Sequence, residues 1–215
     1  MSSIEDAIRN RRSSENYFDQ TASQEDERIP RGLVGQRLFA ISPYRHSKDR
    51  FESWSCLRLE DETVNIIVSE TIIPFGDGEA DDGGAMVIRV AEDAEHQFTD
   101  GLGLADATVE DVAIVTDQAA TTFHSEVAWS TDRFQAVVLD LGNGYLVFDK
   151  GPWFCTDIRC IACDGYVPEL MDDRADWETD VEETPDGAYG LDCEVRWLAH
   201  PENTMTIRVT REGDL

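Results

Sequence analysis

Cysteine is the residue whose type and spacing most clearly promise chemistry in this 215-residue chain. There are five, Cys56, Cys155, Cys160, Cys163 and Cys193, and the last four run C-x4-C-x2-C-x29-C. Thiolates bind soft or borderline ions, and four at a tetrahedral centre suit zinc or an iron–sulfur cluster. Three thiols this close in a chain expected to be made for the cytosol point to a metal rather than a disulfide framework. Cys155, Cys160, Cys163 and Cys193 are therefore the candidate metal ligands. The metal would tie down the acidic stretch between Cys163 and Cys193, which has little apolar content of its own. Unmetallated thiols packed in a core are the other reading of the same residues, and the expectation for Cys56.

The run Cys155-Thr-Asp-Ile-Arg-Cys160-Ile-Ala-Cys163 has the ligand spacing of plant-type [2Fe–2S] ferredoxins. Gly165 and Val167 follow it as they do in that family, and Ala199-His200-Pro201 with Thr206-Ile207 resemble its C-terminal tail. The resemblance spans residues 152–212. It implies a [2Fe–2S] cluster held by Cys155, Cys160, Cys163 and Cys193, and an electron carrier. Structural zinc at the same four thiols is the competing expectation.

Other candidates carry less. In Phe75–Gly84 the acids Asp77, Glu79 and Asp81 alternate as in a calcium loop, but Asp82 and Ile88 stand where that loop needs Gly and Glu. The four histidines His46, His96, His124 and His200 are dispersed, with none in an H-x-x-x-H or H-E-x-x-H arrangement. No nucleophile elbow, Walker loop or dinucleotide-binding glycine pattern occurs. Nothing in the residues argues for an enzyme.

Charge bounds the setting. Lys+Arg 18 against Asp+Glu 45 gives a net charge of −27. Residues 1–50 are near neutral and bear arginines, whereas residues 51–215 hold the whole excess of acid. Such a body repels itself in dilute buffer and is relieved by molar salt, where the Debye length falls to ~3 Å. The composition points to a halophilic setting, in the cytoplasm of a salt-accumulating cell or in a virion. It argues against nucleic acid as a partner, which calls for a basic patch. The arginines of the N-terminal segment instead suit carboxylates, which they grip through a bidentate fork. That segment is the expected contact with a protein partner or a second copy, through Arg9, Arg11, Arg12, Tyr17 and Phe18. No run of apolar residues is long enough to span a membrane.

The elements that must position these residues are mostly strands. Ile4, Ala7 and Ile8 share a helical face, and Ser2 with Glu5 suggests a capping box over residues 2–11. Residues 12–30 are polar and aperiodic up to Pro30, and read as a flexible arm. Short strands follow at 33–41, 51–59, 63–73, 85–90, 108–116, 121–130, 133–140, 145–149 and 204–210. Asn143-Gly144 between apolar runs predicts a hairpin. Residues 169–188 read as an exposed acidic excursion. The expected fold is mainly β, a sandwich or barrel-like body, with a short N-terminal helix and an irregular cysteine-bearing C-terminal region. The expected divisions are 1–31, 32–149 and 150–215.

Overall fold

Period-two alternation governs most of the chain, and it builds two β-sheets that bury one core between them. The computed structural model describes residues 3–47, 52–74, 80–91, 106–124, 126–150, 158–164 and 187–212. In chain order the elements are α1 (Ile4–Arg9), a 3-10 turn (Arg11–Ser13), β1 (Tyr17–Gln20), α2 (Gln24–Leu33), β2 (Arg37–Ser47), β3 (Glu52–Leu59), β4 (Thr63–Pro74) and β5 (Ala80–Val90). There follow β6 (Ala107–Thr108), β7 (Asp111–Phe123), β8 (Glu126–Asp140), β9 (Tyr145–Lys150), β10 (Ile158–Cys163), β11 (Gly187–Trp197) and β12 (Met205–Glu212).

The larger sheet has the order β10-β9-β8-β7-β11-β12, with β1 added in parallel to β8. The smaller has the order β5-β4-β3-β2-β6. All pairings except β1 with β8 are antiparallel. One hydrophobic core joins them: Leu57, Val64, Ile66, Val68 and Ile88 from the smaller sheet meet Val112, Ile114, Phe134, Val137, Leu139 and Phe148 from the larger. Ile29 and Leu33 of α2 enter the same core. The mainly β expectation therefore holds. Among the described residues no helix is long and apolar enough to cross a membrane.

The hairpin at Asn143-Gly144 forms as expected between β8 and β9, closed by Leu141 N–H donating to the Gly144 carbonyl at 2.9 Å. Gly142 and Gly144 take φ of 74° and 154°, which L-residues with side chains rarely adopt.

Elsewhere the structure departs from the sequence expectations. Residues 12–30 are not an aperiodic linker, for they hold β1 and most of α2. Pro30, expected as a stop, lies buried inside α2. A proline costs ~3 kcal/mol in a helix interior; here Ile29 and Leu33, its neighbours in the helix, are packed into the core. The first helix starts one residue later than its expected capping box, with Ser3 accepting from Asp6 N–H at 3.2 Å. The alternation over 121–130 is two strands, because β7 ends at Phe123 and β8 begins at Glu126, with His124 at φ 50° in the turn. Finally, β10 and β11 are strands that the expected set lacks, and β11 is interior to the larger sheet. The predicted excursion 169–188 lies outside the described residues except for Gly187 and Ala188, which open β11.

Candidate functional site

Strand alternation decides where the cysteines point. Cys160 and Cys163 are both on β10, three residues apart, so they take opposite faces. Cys160 packs against the core between the sheets, whereas Cys163 joins a cluster on the far face with Ala113, Val115, Val147 and Cys193. Cys193 is on β11, and β9, β8 and β7 stand between it and β10. At ~4.8 Å per strand that is roughly 19 Å. Tetrahedral zinc, with Zn–S bonds of ~2.3 Å, needs its sulfurs within about 4 Å of one another. As placed, these three thiols do not fit a single zinc ion or cluster. Cys155 lies outside the described residues. Among the described residues no group of three or more His, Cys, Asp or Glu is placed to hold a metal. Burial pushes the Cys160 thiol up to about 12, far from the thiolate a ligand or nucleophile needs.

The residues of the N-terminal segment, by contrast, are brought together. They form a strap, residues 4–20, that lies on the larger sheet. Ile4, Ala7 and Ile8 of α1 are buried against Ala120 of β7, with Val127 of β8 and Ala188 of β11 beside them. The isoleucines of the helix pack directly onto Gly190 of β11. A Cβ at Gly190 would collide with Ile8 Cδ1 and stand 2.8 Å from Ile4 Cγ1. Glycine in a strand interior marks this kind of close approach.

After the helix, the chain turns and two arginines converge on one carboxylate. Arg11 forks onto Asp132 of β8 through Nε and through Nη2, the latter at 3.2 Å. Arg12 donates to Asp132 Oδ2 from Nε at 2.8 Å and from Nη2 at 2.6 Å. The Asp132 side chain is 0% exposed, that of Arg11 12% and that of Arg12 66%. The hydrogen bond and charge of Asp132 raise the Arg12 guanidinium above its ordinary value. The Arg11 fork, one nitrogen to each oxygen, is the strong form of the arginine–carboxylate contact, and Arg12 adds two donors to the second oxygen. They supply the charge-assisted hydrogen bonds that offset the burial of the Asp132 carboxylate.

Strand β1 completes the attachment. It pairs in parallel with residues 130–133 of β8. Strand β9 pairs with β8 only from Ala136 onward, so β1 continues the ladder beyond the point where β9 stops. Phe18 is buried and Tyr17 half-buried. Burial first, then the charges of Asp132 and Asp19, push the Tyr17 phenol up to about 12. Asn16 Nδ2 donates to the Ala128 carbonyl at 2.8 Å, and Ser130 Oγ donates to the Arg11 carbonyl at 2.9 Å. Arg9 stays exposed and pairs with Asp6 of its own helix at 3.1 Å.

Asp132, Ser130, Asn16 and Gly190 belong to this site and are not among the residues expected from sequence. One acid among 45 carries no signature of its own. Gly190 does carry one, since it stands inside the alternation Tyr189, Leu191, Cys193, Val195 of a strand interior.

A second set of charges, buried except for the partly exposed Arg159, lies in the same sheet. Arg133 faces Asp117 at 3.6 Å, and Arg159 donates to Asp149 at 2.5 Å. Gln135 Nε2 donates to Asp149 and to the Lys150 carbonyl, while Lys150 Nζ donates to the Gly84 carbonyl of β5. Lys150, one of two lysines in the chain, thus ties the two sheets together.

Comparison of the chain with protein-family models, with curated proteins and with solved structures finds no match.

Proposed function

We propose that this chain is a salt-adapted binding and assembly protein whose N-terminal strap is its contact element. Its setting is a multi-copy assembly, a virion being one such case, in a high-salt cytoplasm or particle. The observation that carries this reading is the convergence of Arg11 and Arg12 on the buried Asp132. Exposed ion pairs lose most of their worth at molar salt, whereas a buried bidentate pair beside apolar contacts keeps it. A strap fastened in this way holds under the conditions that the acidic body requires. Arg–carboxylate recognition also fits contacts between copies that are both strongly acidic.

The test removes the strap's anchor without cutting the chain. Ile8→Glu places a charge against Ala120 and Gly190 and releases α1. In molar KCl, light scattering should then give a smaller particle than the parent chain, with the β-sheet circular dichroism retained. An unchanged particle size with the strap demonstrably released would overturn the reading.

A further inference from the structure

We infer that the partner of the strap is a second copy of this chain, which exchanges its own strap into the slot formed by β7, β8 and β11. This rests on the assembly reading above and names its partner. Three features of the slot carry it.

The slot cannot stand empty at low cost. Without a strap, Asp132 loses both arginines, and Ala120, Val127 and Ala188 lose their apolar cover to water. Something must occupy it, from this copy or from another.

The slot is also specific for this strap. Gly190 admits Ile4 and Ile8 at a separation that no Cβ would allow, Asp132 takes two consecutive arginines, and β8 offers its ladder to four residues in parallel register. An identical strap from a neighbour makes the same interactions, so whatever one copy gives up the next recovers.

Finally, the strap is joined to α2 through the short segment 21–23. Immediately beyond it, Ser23 and Asp26 lock the start of α2 with a reciprocal capping box, 3.1 Å and 3.0 Å, which fixes one side of a hinge. Because the interactions are the same in both arrangements, protein concentration sets the balance between them, and dense packing of copies favours exchange.

The experiment uses two full-length variants. Ala7→Cys puts a thiol on the strap and Ala120→Cys puts one in the slot, two positions that share one buried cluster. One variant carries a mass tag, so that a mixed pair has its own mobility on a non-reducing gel. The two are mixed in molar KCl at high concentration and oxidised. The expected result is a shift from the two monomer bands to a reducible mixed-dimer band, absent when either variant is oxidised alone. The double variant Ala7→Cys/Ala120→Cys shows that the two thiols can reach each other. If it closes only within its own chain while the mixture stays monomeric, exchange is overturned. Assembly that persists in Ile8→Glu would sink the strap as contact element altogether. Assembly lost in Ile8→Glu with no mixed dimer would leave that reading standing and remove the exchange.

Discussion

Asp132 is the residue on which the strap depends. Two guanidinium groups share its carboxylate, and neither sequence neighbourhood announces the pairing. Asp132→Asn keeps the shape and removes the charge, which leaves Arg11 largely buried without this counter-ion. Breaking a buried pair costs ~3–5 kcal/mol, and the exposure of Arg12 reduces that to about 2–4 here. The undocked strap should then become at least about tenfold more populated. Tryptic cleavage after Arg11 and Arg12 reads this directly, and an unchanged cleavage rate would show that the carboxylate is not the anchor. Tyr17 supplies an independent signal. Its phenol is pushed up to about 12 when docked and returns to ~10 when released. A raised value favours the neutral form, so docking is at full strength below pH ~10 and weakens as pH climbs towards about 12. Burial also raises Tyr145, so absorbance titration of the five tyrosines should show the late-titrating fraction fall by one tyrosine in Ile8→Glu relative to the parent chain.

At the scale of elements, α2 couples the strap to both sheets. Asp26 closes its capping box and also accepts from Ile88 N–H of β5 at 2.7 Å. Glu27 pairs with Arg196 of β11 at 2.7 Å, and Arg31 donates to the Leu198 carbonyl at 2.8 Å. Asp26→Ala loses the cap and leaves a buried N–H unsatisfied, together about 2–4 kcal/mol. The midpoint of denaturant unfolding should fall accordingly with the slope unchanged, whereas a parent-like midpoint would mean that Ile88 N–H finds another acceptor. The hairpin at Asn143-Gly144 is plain in the sequence because its turn chemistry is local. Helix α2 is not, since half of Gln24–Leu33 is charged, it carries Pro30, and it gains its stability from partners distant in the chain. The alternation Tyr189, Leu191, Cys193, Val195, Trp197 marks β11, yet the same Cys193 also completes a metal-ligand spacing, and the two patterns compete for one residue. The cysteine spacing is legible too, but spacing says nothing of which face of a strand each thiol takes.

Over the whole molecule the charge of −27 sets the conditions under which the chain stays folded. Mutual repulsion of carboxylates opposes compaction, and its range shrinks from ~10 Å at 0.1 M salt to ~3 Å at 1 M. The thermal midpoint should rise between about 0.1 M and about 1 M KCl, as followed by circular dichroism. A midpoint that stays level or falls would contradict the salt-adapted reading. The mainly β architecture follows from even strand spacing, and one core draws residues of all three expected divisions together: Ile29, Leu57, Phe134 and Leu198 all belong to it. The parallel pairing of β1 with β8 has a consequence for synthesis. The strap emerges first, yet its slot needs Ala120, Asp132 and Gly190, the last of them roughly 180 residues after Ile8. At ~5–20 residues per second a ribosome takes roughly 10–35 s to cover that interval. Throughout it the nascent strap has no slot of its own, and the slots of completed neighbours from the same message are open to it only by displacing the strap already there.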